Sequence, residues 1–352
     1  MNRDYRKLTQ EIINRQNPDN IAISKSLKEE LRTIKYSDVL LFVRTSMNEV
    51  DPDYTKKSKE AGERVKKHLK DHLQNVTYRY QGSVMTDTHI KGYSDIDLLT
   101  ICEKFYTYDS NSVRTVLERT DLKRKLTESQ QDKLKYERDL SSYEGNGLND
   151  LRKLRLESEN KLNQIYSRCN TTQPKAIKIK NLDLHREVDI VTANWYDDIA
   201  SILNEKGAFR GVQIFDKAKN KKGPADFPFL SIERINKKSA DTNGRLKKMI
   251  RFLKNVKAES DVDIDLSSFD INAVCYDLSI SEYKDASFQE LVPILCSHVN
   301  KVYTNSSHSN ELMSVDGREN IFNGKPDKLQ NLGLLLDEIV NINNDLQKNL
   351  QP

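Results

Sequence analysis

Two aspartates, Asp95 and Asp97, sit either side of Ile96 in the run YQGSVMTDTHIKGYSDIDLLTI. On a strand, residues i and i+2 point to one face, so these carboxylates crowd each other. A fold tolerates that most readily where a cation sits between them. A third aspartate, Asp189, lies in a second strand-like run, REVDIVTANW. If the two strands are neighbours, three carboxylates converge into a hard, oxygen-only site that suits Mg²⁺ or Mn²⁺. Two such ions roughly 4 Å apart can clamp the attacking and leaving oxygens of a phosphoryl transfer. Upstream of the Asp pair lies Gly82-Ser83. Glycine lets the backbone approach an anion closely. Ser83, if it opens a helix, can hold a triphosphate through its N–H and hydroxyl. Alone, D-x-D reads as a surface acid pair and Gly-Ser as a turn; at this spacing the pair reads as a phosphate-handling site.

The elements that must position these residues are visible in the hydrophobic pattern. VTYRYQGS (76–83) reads as a strand that breaks at Gly82, and SDIDLLTICE (94–103) as a second strand anchored by Leu98, Leu99 and Ile101. Further strands are expected at KAIKIKN (175–181) and at 186–195. Ahead of them, SLKEELRTIKYSDVLLFVRTSM carries one apolar face through Leu27, Leu31, Ile34, Val39, Leu40 and Val43. Asp51, Pro52 and Asp53 open an amphipathic helix that runs toward Leu73. Residues 110–168, rich in Lys, Arg, Glu, Gln and Leu, read as a helical hairpin turning at EGNG, a solvated structural arm. The stretch DKAKNKKGPADFP (216–228) reads as a loop, and the chain as helical from about Asp241. NGRLKKMIRFLKNVK is a basic amphipathic helix, and Ser267 or Ser268 can cap the next one.

Bulk properties narrow the function class. The 352 residues suffice for two domains, and a net charge of +4 does not describe a nucleic-acid coat. The four cysteines form no CxxC pair and no apolar leader is evident, so a cytoplasmic protein with free thiols is expected. No apolar run is long enough for a membrane span, so no membrane partner is expected. The six histidines lack metal-ligand spacing.

The pattern Gly-Ser, eleven residues, Asp-Ile-Asp, and a later strand Asp resembles the nucleotidyltransferase superfamily of DNA polymerase beta and the poly(A) polymerases. The longer series is narrower. QGS with Thr88, SDIDLL, KAIKIKN to REVDIVTANW, the basic helix LKKMIRFLK, and SSFD opening another helix resemble the CD-NTases, relatives of cyclic GMP-AMP synthase, from about residue 55 to 280. The resemblance implies an α+β fold: a bilobal polymerase-beta-like nucleotidyltransferase core with a mixed sheet and helices, plus a helical C-terminal lobe. Residues 1–200 would hold the N-terminal helices and the core with its 110–168 insertion, and 201–352 the helical lobe.

It further implies that Asp95 and Asp97 bind both metal ions and that Asp189 binds one and helps activate the acceptor hydroxyl. Gly82 and Ser83 would grip the donor triphosphate, supported by Gln81. Lys248 and Arg251, one helical turn apart, would contact phosphate, with Lys247 or Lys254 as substitutes; Ser268 would touch phosphate or sugar, and Phe269 would stack on a base. The plainer meanings are a wet helix face for the two cations, an N-cap for Ser268 and core for Phe269. His89 and Lys91 read as loop residues, His185 as a strand-end polar residue and Trp195 as core.

The implied activity joins ribonucleoside triphosphates (ATP, GTP or pyrimidine nucleotides) into a cyclic di- or trinucleotide messenger with two Mg²⁺ or Mn²⁺ ions, in bacterial antiviral signalling. A separate effector protein would read the product. No zinc-ribbon module is seen, so activation by double-stranded DNA is not implied. The third-Asp strand runs VDIVTANW where relatives carry a proline-containing segment, which leaves base preference open. An RNA-tailing or protein-modifying transferase would share the triad; four lysines in 216–222 keep the former alive. A non-catalytic scaffold would predict a damaged triad.

Overall fold

The computed structural model describes residues 3–17, 37–91 and 96–350. The chain divides into two compact units. One comprises Lys56–Gly82 and Asp95–Glu233 and is built on a sheet. The other comprises Met1–Thr55, Ser83–Ser94 and Arg234–Pro352 and is built of helices. The sequence reading divides the chain once, near residue 200, whereas these units interleave.

In the sheet unit, β1 (Val76–Gln81), β2 (Ile96–Tyr108), β5 (Arg186–Asp197), β4 (Ile177–Asn181) and β3 (Cys169–Asn170) lie side by side in that order. β2 and β5 run parallel, and the other pairs are antiparallel. β5 is long enough to pair on its far side first with β4 and then with β6 (Gly211–Asp216), which continues into β7 (Lys221–Asp226). β2 and β5 are rich in β-branched and aromatic residues, which suit a pleated surface buried on both faces.

On one face Leu99, Ile101, Val191, Ala193 and Trp195 form a buried cluster with Val212 and Phe229. Trp195 therefore packs in the core, as expected. On the other face α3 (Pro52–Lys70) lies so close that an added Cβ at Gly62 would fall 3.0 Å from the Tyr80 ring and 3.3 Å from Ile96 Cδ1.

Residues 110–168 are not a two-helix arm. They form α4 (Ser110–Glu118), α5 (Thr120–Lys123), α6 (Glu128–Asp139) and α7 (Gly147–Ile165). The long first helix breaks because Thr127 and Gln130 form a capping box, a T-x-x-Q signal that starts α6 afresh. Asn146 caps α7 within the expected EGNG turn. Val113, Leu117 and Leu134 bury together with Ile202 of α8 (Ile199–Leu203), and α7 packs against β2 and β5. Nor is 216–228 a loop. The Asp216 carboxylate accepts the Lys219 N–H at 2.9 Å, Asn220 takes a positive φ of 47°, and β7 pairs back on β6. β7 is an edge strand, where Pro224 is tolerated.

The helical unit is assembled from α1 (Tyr5–Gln16), α2 (Asp38–Met47), the part of α9 (Pro228–Ala240) that follows Glu233, α10 (Arg245–Ala258), α11 (Ser268–Asp277), α12 (Ile280–Tyr283), α13 (Leu291–Thr304), α14 (Ser306–Glu311) and α15 (Pro326–Leu350). One cluster reaches from Tyr5 and Phe42 through Met249 and Phe252 to Ile339 and Leu346. α10 runs through its middle. Every residue from Met249 to Val256 is buried, the cations Arg251 and Lys254 included. The apolar face expected over 27–47 is seen as α2; Leu27, Leu31 and Ile34 lie outside the described residues.

Candidate active site

A transverse row of polar residues crosses the sheet. Gln81 of β1 is the register partner of Asp97 of β2. Asp97 is the partner of Asp189 of β5, and Asp189 of Lys178 of β4. Partners in register share a face, and adjacent strands lie about 4.8 Å apart, so the two carboxylates stand side by side. Each is flanked along its strand by buried apolar residues, Ile96 and Leu98 on β2 and Val188 and Ile190 on β5. That alternation fixes which way the carboxylates point. Asp95 lies outside the described residues.

Gly82 closes one end of the row. Its φ of +89° is a left-handed conformation, and an ideal Cβ there would come within 2.6 Å of Asp97 Oδ2. Only glycine leaves the carboxylate that space. The Gln81 side-chain oxygen is buried and has no hydrogen-bond partner. At the other end the Lys178 ammonium lies 3.0 Å from Asp189 Oδ2. Two in-register carboxylates and an unpartnered amide oxygen make an oxygen-donor set that fits a hard divalent metal, and the ammonium on Asp189 shows that the row attracts a cation. Among the described residues no group of three His, Cys, Asp or Glu side chains meets metal-site geometry.

The helical unit holds a second feature, a cavity of 330 Å³ lined by Ser83, Thr88, His89, Lys254, Lys257 and Ser268, among others. Ser83 opens a short 3₁₀ turn, Ser83–Thr86, directly after Gly82. Lys254 is only 6% exposed, and its ammonium donates to the Thr88 carbonyl at 3.1 Å, with Thr88 Oγ1 at 3.4 Å. Burial, aided by the Arg251 charge, pushes Lys254 down from 10.5 to about 8; Cys275 works the other way. A buried ammonium held only by neutral oxygens is a ready partner for an anion. Ser268 is exposed at the start of α11, whose cap is Ser267 in a capping box with Asp270.

The four basic candidates on α10 are thus sorted by the structure. Lys254 lines the cavity, whereas Arg251 and Lys248 are not among its lining residues. Arg251 Nε donates to the Met47 carbonyl at 2.8 Å and its NH1 to the Asp87 carbonyl at 2.7 Å. Asn255 donates to the Ser46 carbonyl at 2.8 Å, so α10 closes the C-terminal end of α2. Burial lowers the Arg251 guanidinium to about 10. Lys247 pairs with Asp87 at 3.1 Å. Lys248 is half-buried, its ammonium lowered by burial and by the charges of Arg251, Arg245 and Arg44. Phe269, half-buried, packs against the helical core.

Three residues escaped the sequence reading. Lys178 was hidden because a cross-strand partner is invisible until the register is known. Lys257 sits one turn beyond Lys254 on α10. His89 reads as a loop residue in the sequence, yet it is 4% exposed and its Nε2 lies 3.2 Å from Thr55 Oγ1. Burial lowers it to about 4, leaving the ring neutral at pH 7. Of the other loop and strand-end readings, Lys91 lines the cavity and His185 forms a positive-φ turn between β4 and β5.

Residues 233–344 match the model of the cGAS/DncV-like nucleotidyltransferase C-terminal helical domain. The whole chain is similar to a c-di-GMP synthase of Capnocytophaga granulosa, 48% identical over 352 residues and covering 99% of each chain. Among solved structures it resembles the STING-associated CdnE c-di-GMP synthase from Flavobacteriaceae sp., with a TM-score of 0.89, 35% identity and 99% of each chain covered. It also resembles that from Capnocytophaga granulosa, with a TM-score of 0.81 at 45% identity, covering 99% of this chain and 100% of the other.

Proposed function

The chain belongs to the cGAS/DncV-like nucleotidyltransferases, the CD-NTases, and from that premise we propose that it joins two GTP molecules into c-di-GMP. The observation that carries the reading is the pairing of Asp97 with Asp189, directly opposite each other on parallel strands beside a left-handed Gly82. That arrangement is what in-line transfer of a nucleotidyl group requires of a protein: fixed carboxylates beside a backbone with no side chain in the way.

In this reading Asp97, Asp189 and Asp95 hold two divalent ions, Mg²⁺ or Mn²⁺. When bound, such ions neutralise charge on the attacked phosphate and lower the pKa of the attacking hydroxyl. Asp189 orients the acceptor hydroxyl. Ser83, Lys254 and Ser268, which line the 330 Å³ cavity of the helical unit, supply the phosphate-contacting groups. Arg251 holds the Asp87 carbonyl, next to the cavity-lining Thr88, and Lys248 adds positive charge on the same helix. Phe269 keeps part of its ring exposed for a base. The ribose hydroxyl of one nucleotide attacks the α-phosphate of the other, a phosphodiester forms and pyrophosphate leaves. A second transfer closes the ring.

Relatives described as STING-associated point to a separate receptor of that type as the reader of the product, in bacterial antiviral signalling. Of the four lysines that support the RNA-tailing rival, two are engaged within the fold and Lys219 and Lys221 are exposed. Lys217 is paired with Glu159 at 2.7 Å and Lys222 lies over the Phe105 ring.

The test is incubation with all four ribonucleoside triphosphates and Mg²⁺ or Mn²⁺, phosphatase treatment, and mass spectrometry. A phosphatase-resistant product with two guanosine monophosphate units, absent with Asp97→Asn, is expected. A resistant product with another base would overturn the guanine assignment. Tailed RNA or labelled protein would overturn the cyclase reading.

A further inference from the structure

The β4–β5 ladder carries two cross-strand ion pairs. Lys180 pairs with Glu187 at 3.8 Å, and Lys178 with Asp189 at 3.0 Å. Both lysines leave the sheet on one face, alternating with the buried Ile177, Ile179 and Asn181. The first is an ordinary exposed pair, 38% and 51% exposed, of a kind that contributes little. The second differs in its carboxylate. Asp189 is only 14% exposed and stands beside a second carboxylate, Asp97, in the same row. Carboxylates at strand spacing repel each other, and partial burial strengthens that repulsion. A positive charge on Asp189 relieves it. Lys178 can also give the position up: its side chain is 44% exposed on a flexible four-carbon stem, so it can swing into water without burying a bare charge.

We propose that Lys178 is the resident counter-cation of the carboxylate row, balancing Asp189 before metal binds and competing with metal for Asp189 Oδ2. It thereby sets the metal concentration at which the enzyme becomes loaded. The inference rests on the reading of Asp97 and Asp189 as metal ligands.

The competition predicts a direction opposite to that of a ligand or a simple positioning residue. Removing the lysine charge makes the row more negative, so it binds a divalent cation more tightly and is less stable without one. Mn²⁺ binding to the full-length protein, followed by electron paramagnetic resonance in the absence of nucleotide, separates the cases. Lys178→Gln is expected to bind Mn²⁺ roughly fivefold more tightly than wild type, the size of one unit charge at a few ångströms in a wet site. Lys178→Arg keeps the charge and should stay near wild type, and so should Lys180→Gln. In chelator, Lys178→Gln should melt below wild type, and saturating Mn²⁺ should close the gap. Equal or weaker Mn²⁺ binding by Lys178→Gln overturns the proposal, the weaker case because it would make Lys178 an orienting residue. Wild-type binding by Asp97→Asn, or no binding by wild type, overturns instead the metal reading on which the proposal stands.

Discussion

At the scale of single residues, Gly82 and Lys254 carry the sharpest tests. A side chain at Gly82 meets two obstacles: a φ of +89° and an Asp97 oxygen 2.6 Å from the new Cβ. Gly82→Ala should destabilise by about 1–2 kcal/mol through backbone strain. It should lower turnover roughly a hundredfold, since a displaced carboxylate misaligns the reacting groups. Urea unfolding and product formation measured on the same preparation separate the two effects. Lys254 titrates at about 8 when buried, against 10.5 unfolded. Between those values the unfolded chain holds a proton that the folded chain has lost, so this residue makes stability rise with pH from about 8 toward 10.5. Anion binding runs the other way, because the neutral amine no longer attracts phosphate. The KM for GTP should therefore rise as pH passes about 8. Lys254→Met should erase both pH trends, raise KM about tenfold or more, and leave the nucleotide-free protein at least as stable at pH 7.

At the scale of elements, the covering helix α7 shows how a charged residue can be structural. Arg155 is fully buried, pairs with Glu159 at 2.8 Å, and donates to the carbonyls of Gln173 and Ala176 at 2.8 and 2.9 Å. Lys217 approaches the same Glu159 at 2.7 Å, and its N–H donates to the Pro174 carbonyl at 2.8 Å. The helix, the 173–176 segment and the β6–β7 hairpin are thus tied together just before β4, the strand that carries Lys178. Arg155→Ala should cost about 3–5 kcal/mol, because it removes one partner of a buried pair and leaves two carbonyls without donors. Hydrogen exchange should show the loss first at the β4 amides. Arg155→Lys should rescue little, since a single ammonium cannot span a carboxylate and two carbonyls.

At the scale of the molecule, the two units hold separate hydrophobic clusters, one centred on α10 and others on the faces and flank of the sheet. A chain built this way should not unfold in one step. Calorimetry should give an enthalpy larger than the van't Hoff value of its main transition. Asp97 and Asp189 both belong to the sheet unit, so Mn²⁺ alone should raise the transition of that unit, by the mass-action term of a ligand that binds only the folded state. A single transition with equal enthalpies would show the units to be thermodynamically one. Among the described residues no helix is long and apolar enough to cross a membrane, and the four cysteines are free thiols.

What the sequence determined by itself was local and periodic. The alternation around Asp97 and Asp189 places both carboxylates on one face of their strands, because a strand has a period of two residues. Gly82 marks the strand end, as a residue that breaks a strand pattern. Ser267 and the T-x-x-Q at Thr127 are helix starts written in consecutive residues, the second inside a run whose composition suits one long helix. The tertiary structure decided what depends on partners far away in the chain. Arg251 and Lys254 are one turn apart on one helix and chemically alike, yet packing assigns one to the carbonyls of Met47 and Asp87 and the other to the wall of a cavity. Lys178 faces Asp189 only because β4 pairs with β5 in that register. The lysine-rich stretch at 217–222 becomes a hairpin because β5 still has a free edge for β6 beyond β4. Such assignments follow from which surfaces bury each other, and local residue types do not contain that information.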